Sequence, residues 1–178
     1  SGVDIGITFN MGDYPPPLIP LPLTACPLGL FASPTLEISE SCFFLPGSVP
    51  ELSVIAASVK SGPYGFFKRF LDRRGIRLGK TMQVGNMHIV KALLESGLGV
   101  SYMPKACVEK ELAEGSLVEV PTGLGKIDLG LLLLKNANKE ESAAASLLSK
   151  MIRTKLLDPN LRTTDFFERT CLMKRKFE

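Results

Sequence analysis

His88 is the only histidine of this chain, and its cysteines are Cys26, Cys42, Cys107 and Cys171. A hydrolytic triad needs a hydroxyl or thiol beside an imidazole that a carboxylate orients. Ser61 and His88 can be matched with any of several acids, but no spacing favours such a set. No two cysteines have CxxC spacing, so there is no zinc signature and no disulfide framework; the four read as buried free thiols. Gly97-x-Gly99 and Gly123-x-Gly125 each stop at two glycines, and neither follows a strand and opens a helix. Neither is a dinucleotide fingerprint, and no P-loop is present. The expectation is a protein that is not an enzyme and needs no metal or cofactor. The residues left with a chemical role are Ser61 and Asn86, polar side chains that can cap helix starts.

The elements that position them follow from periodicity. Asn86 opens a helix over 86–96 whose apolar face is Ile89, Val90, Leu93 and Leu94, and Gly97 stops it. Gly99-Val-Ser-Tyr-Met103 is a short buried strand. Pro104 opens a further helix, running over 104–114 to Gly115 with Val108 and Leu112 inward, and Leu117–Val120 is another strand. Upstream, Val3–Thr8, Leu28–Ala32, Val54–Val59 and Thr81–Val84 read as strands. The proline-rich stretch Tyr14–Pro22 must be extended or looped. Ser61-Gly-Pro-Tyr-Gly65 is a turn leading into a helix over 64–75, with Phe66, Phe67, Phe70 and Leu71 as its apolar face. Asp128–Leu134 is apolar without alternation, as for a strand covered on both faces. Lys139–Leu157 is a long helix whose stripe of Leu147, Leu148, Met151, Ile152 and Leu156 reads as core. Glu109-Lys110-Glu111 reads as a solvated helix face with i,i+4 pairing. Strands alternating with helices predict an α/β fold with mainly parallel sheets.

Composition narrows the function class. Apolar residues make up 45% and charged residues 22% of 178, with a net charge of +3. That balance suits an ordinary globular chain and is too weakly basic to argue for nucleic acid. No apolar run reaches the roughly 20 residues of a membrane span. The first residues lack a signal peptide's basic and apolar regions, so the default compartment is the cytoplasm.

Three features in order, Gly85-Asn86-Met87, Gly97-Leu98-Gly99-Val100 and Pro104-Lys105 with Glu111-Leu-Ala-Glu-Gly-Ser-Leu-Val118, together with the Asp4-Ile5-Gly6-Ile7 strand, resemble the effector-binding domain of LysR-type transcriptional regulators. The resemblance spans about residues 3 to 151. It implies a type 2 periplasmic-binding-protein-like fold of two α/β lobes. The first lobe would comprise 1–55 and 135–157, lacking its opening strand, helix and strand. The second would comprise 56–134, and 158–178 would be a C-terminal tail. The family's winged helix-turn-helix has no counterpart here, so DNA would be reached only through a segment this chain does not carry, in a homodimer or homotetramer. The alternative is a transporter's solute-binding protein with the same fold, which would need an export signal.

The resemblance also implies a small-molecule effector, an anionic metabolite, held between the lobes and biasing their relative angle. Helix N-termini suit carboxylates because their first N–H groups lack intrahelical acceptors. Two helix starts match that role: Ser61, Gly62 and Tyr64, and Asn86, Met87 and His88. Tyr102 and Pro104, after the buried strand, and Thr8, at the end of the first strand, complete the expected effector-binding set.

Overall fold

A computed structural model describes residues 4–12, 14–38, 52–58 and 62–157. Its strands are β1 (Ile5–Phe9), β2 (Leu18–Ala32), β3 (Val54–Ala56), β4 (Thr81–Gln83), β5 (Val100–Pro104), β6 (Val118–Val120) and β7 (Ile127–Asn136). Its helices are α1 (Gly62–Asp72), α2 (Met87–Glu95), α3 (Glu109–Glu114) and α4 (Ala143–Leu156). The chain divides into two compact units, Ser1–Cys26 with Asp128–Glu178, and Pro27–Ile127. The second unit thus begins earlier than the expected boundary at residue 56. The reason is β2, whose end pairs with both β5 and β6 (Phe31 opposite Ser101 and Glu119) and so belongs to their layer.

In the second unit β3 pairs in parallel with β4 and β5, as strands joined through helices do. Where β2 joins, the pairing is antiparallel. Every residue of β5 is buried, because both faces are covered. On one, Phe67 of α1 stacks on Tyr102 with ring centroids 3.6 Å apart. On the other, Met103 joins Phe31, Ile55, Val90, Leu94, Val108 and Leu117 in one core cluster.

The helix ends have local causes. Asn86 Oδ1 accepts the His88 N–H at 2.7 Å, the expected cap. At the other end of α2 the Gly97 N–H donates to the Leu94 carbonyl (2.8 Å) and the Leu98 N–H to that of Leu93 (3.1 Å), the two bonds of a Schellman stop. Gly97 takes the left-handed φ of 73° that this stop requires. α1 ends at Asp72 rather than at Gly75, which lies in the turn that follows.

Three expectations are corrected. Ile89 is 46% exposed, so α2 packs through Val90 and Leu94, with Leu93 only partly buried. Pro104 ends β5 instead of opening a helix; a 3-10 turn over Lys105–Cys107 intervenes, and α3 is only six residues long. Glu111 does not belong to a solvated face. It reaches Lys91 of α2 at 2.7 Å in a partly buried ion pair, while Lys110 and Glu114 make the surface i,i+4 contact.

The hydrogen bond from Lys91 holds the Glu111 carboxyl below its ordinary value of 4.5. A carboxylate depressed by folding adds stability above the unfolded value, and loses it as pH falls through the folded one. The Glu111→Gln chain should therefore show a shallower loss of stability on acidification below about pH 4.5. Urea midpoints measured at a series of pH values would check this; parallel curves for the two chains would exclude the contribution.

In the first unit β1 pairs antiparallel with β7, from Ile5 opposite Lys135 to Phe9 opposite Leu131. The proline-rich stretch is partly strand, since β2 already begins at Leu18. Leu23, Leu129, Leu132 and Leu133 are fully buried. Ser142 caps α4 by accepting the Ala145 N–H, and its hydroxyl donates to Asp4, which also pairs with Lys139. The expected stripe of α4 is not its packed face. Leu147, Leu148, Met151 and Leu156 are exposed, whereas Ala145 and Ser149 are buried. Small residues at i and i+4 let a helix approach closely, and that overrides the count of large apolar side chains.

Cys26 and Cys107 form no disulfide among the described residues and are only partly buried, less than expected; Cys42 and Cys171 lie outside the described residues. Burial pushes the Cys107 thiol up, towards the protonated and unreactive form. The tail expected over 158–178 also lies outside the described residues.

Candidate functional site

The ends of three elements of the second unit enclose a cavity of about 160 Å³. Ala57 and Ser58 follow β3, Gly62, Pro63 and Tyr64 begin α1, and Ser101, Tyr102 and Met103 come from β5, with Met87 of α2 closing the wall. The local sequence explains the convergence. A parallel strand hands the chain to a helix at its carboxyl end, so helix starts gather there.

The site has little free polarity. Among the described residues no Asp, Glu, Lys, Arg or His lines it. The Tyr64 hydroxyl is engaged with Thr81 Oγ1 at 3.1 Å, and Tyr102 is pinned by Phe67. Ser101 differs. It is 3% exposed, and its hydroxyl has no hydrogen-bond partner among the described residues. The hydroxyl faces the cavity, where the oxygen of a bound molecule can take the place of water as its partner. The first-turn N–H groups of α1 have no intrahelical carbonyl to bond. Pro63 has no N–H, which leaves Gly62, Tyr64 and Gly65 as donors. Such a cavity can hold an oxygen-bearing group by hydrogen bonds and seat an apolar body.

Of the expected set, Gly62, Tyr64, Met87 and Tyr102 line this cavity. Asn86 serves as the α2 cap and His88 is exposed; neither lines the cavity. Pro104 is buried at the end of β5, opposite Leu28. Thr8 sits in β1 of the first unit, opposite Leu132, with its hydroxyl donating to the Phe9 carbonyl at 3.4 Å. Ser61 lies outside the described residues. Ser101 is absent from the expected set, although a lone hydroxyl inside a buried strand is itself a signal.

A larger hollow of about 610 Å³ on the same unit is bounded by Leu28, Leu30, Tyr102 and the Lys105–Glu119 ion pair at 2.9 Å. Lys126 adds a further charge to that pair, but none of the described lining residues is a buried polar side chain. The smaller cavity is therefore the better candidate. Among the described residues no cluster of three His, Cys, Asp or Glu side chains is placed to hold a metal ion.

The model of the LysR substrate binding domain matches residues 1–157. The chain belongs to that family. Its fold is accordingly periplasmic-binding-protein-like, and the transporter reading finds no support among its relatives. The chain is 28% identical over 141 residues to an uncharacterized HTH-type transcriptional regulator, YfiE of Escherichia coli (strain K12), covering 79% of this chain and 47% of that protein. It thus spans about half the length of that regulator. The regulatory domain of Synechocystis CcmR, solved in complex with 2-PG, superposes with a TM-score of 0.70 at 16% identity, over 86% of this chain and 73% of that one. The regulatory domain of N. meningitidis MetR gives a TM-score of 0.69 at 14% identity, over 85% and 72%. Among the described residues no helix is long and apolar enough to cross a membrane.

Proposed function

We propose that this LysR substrate-binding domain holds a small anionic metabolite in the 160 Å³ cavity, and that this binding controls transcription in a full-length regulator. The observation that carries the reading is the hydroxyl of the buried residue Ser101, which faces the cavity without a partner among the described residues, beside the start of α1. A carboxylate or phosphate oxygen satisfies both sets of donors without a lysine or arginine. The apolar walls of Ala57, Met87 and Met103 suit a short, uncharged remainder. The ligand then acts by population shift: it stabilises whichever state of the regulator presents this cavity closed, by no more than its differential affinity for the two states. DNA contact, homo-oligomer assembly and a cytoplasmic setting are properties proposed for the full-length regulator, and no catalysis is assigned to this chain.

The test begins with a thermal-shift screen of small carboxylates and phosphoesters, with 2-PG, found with CcmR, in the first set. Ser101→Ala should weaken the selected ligand about tenfold to a hundredfold, as for one hydrogen bond to a charged group. Its stability should stay within about 1 kcal/mol, because the described residues offer no partner to be lost. Unchanged affinity would place the ligand elsewhere.

A further inference from the structure

The first unit carries a concave surface of about 390 Å³ whose lining is basic, unlike that of the smaller cavity. Ser146, Ser149, Lys150 and Arg153 follow one another at i, i+3, i+4 and i+7 along one face of α4, and Lys135 of β7 stands opposite. Lys135 is held by Glu141 at 2.9 Å. Among the described residues neither Lys150 nor Arg153 has an ion-pair partner. Among the described residues no acidic side chain lines the surface.

Cations in the last turns of a helix complement its dipole, and this alone accounts for an Arg153 or a Lys155. It does not account for Ser149. That residue is 3% exposed, lines the same surface, and has no hydrogen-bond partner among the described residues. A mid-helix hydroxyl ordinarily returns to the carbonyl four residues back, as Thr154 does to Lys150 at 2.9 Å. Ser149 makes no such bond, so its donor is left for a group that enters the groove.

We propose that this groove is a second ligand site, which takes a small phosphorylated metabolite by its phosphate. The guanidinium of Arg153 and the ammonium of Lys150 supply charge-assisted donors, and Ser146 and Ser149 supply hydroxyl donors. A phosphate dianion has the charge and the number of oxygens to engage all four, which a monocarboxylate lacks. The volume accommodates a sugar-phosphate-sized molecule.

The experiment is titration calorimetry on the 178-residue chain with inorganic phosphate, glycerol 3-phosphate and ribose 5-phosphate at matched ionic strength, with acetate as control. The phosphate esters should bind, and acetate should not. Arg153→Gln, at an exposed position that leaves the fold intact, should weaken ester binding about tenfold or more, and Ser149→Ala should do the same with an unchanged circular dichroism melt. Three results would overturn the site: esters no tighter than acetate, affinities unmoved by both substitutions, or a duplex DNA whose binding needs Arg153 while the esters fail to compete.

Discussion

Gly99→Ala should destabilise the chain by about 3 kcal/mol, at the top of the range for overpacking. A Cβ built at Gly99 stands 2.2 Å from the Ser53 carbonyl oxygen and 3.3 Å from the Ile55 side chain. The first of these is backbone, and it cannot swing away like the end of a flexible side chain. That carbonyl also accepts the Val100 N–H at 2.9 Å, the bond that sets β5 against β3. Moving it opens the parallel ladder on which α1 and α2 pack. Urea denaturation would read the loss as a lowered midpoint at constant slope. Wild-type stability in Gly99→Ala would mean that the Ser53 carbonyl yields to the added methyl without opening the ladder.

Leu94→Ala should cost about 2–5 kcal/mol, whereas Ile89→Ala on the same helix should change stability by less than about 0.5 kcal/mol. Leu94 is fully buried in the cluster with Val90, Met103 and Val108, so truncation leaves a void that its neighbours only partly fill. Ile89, almost half exposed, gives up little contact on truncation. Leu93, partly buried against the same cluster, should fall between them. Equal midpoint shifts for Leu94→Ala and Ile89→Ala would show that α2 is rotated so that both residues face the core.

The contrast between Leu94 and Ile89 marks how far the sequence can be read. Both belong to an apolar stripe at helical spacing, and spacing alone shows that a stripe exists without centring it on the sheet. The same limit applies to α4, where the large apolar residues are exposed and Ala145 and Ser149 are packed. Periodicity weighs residues by hydrophobicity; packing selects the face that fits its neighbours, and small residues fit closest. Pro104 is ambiguous for a related reason. Proline suits a first helical turn, but it also suits a strand end, and the pairing of Pro104 with Leu28 decides between them.

The sequence by itself determined the alternation of strands and helices, the Asn86 cap, the Gly97 stop, the buried character of β5 and the resemblance that leads to the family. These depend on neighbours along the chain, where side-chain type and backbone preference act directly. Only the tertiary structure decided which polar groups lack partners and what stands beside them. Ser101 and Ser149 are ordinary serines in the sequence. They become candidate ligand donors because the packing of distant segments buries most of each residue, leaves its hydroxyl facing a hollow and offers it no acceptor among the described residues, and that depends on the whole surrounding fold.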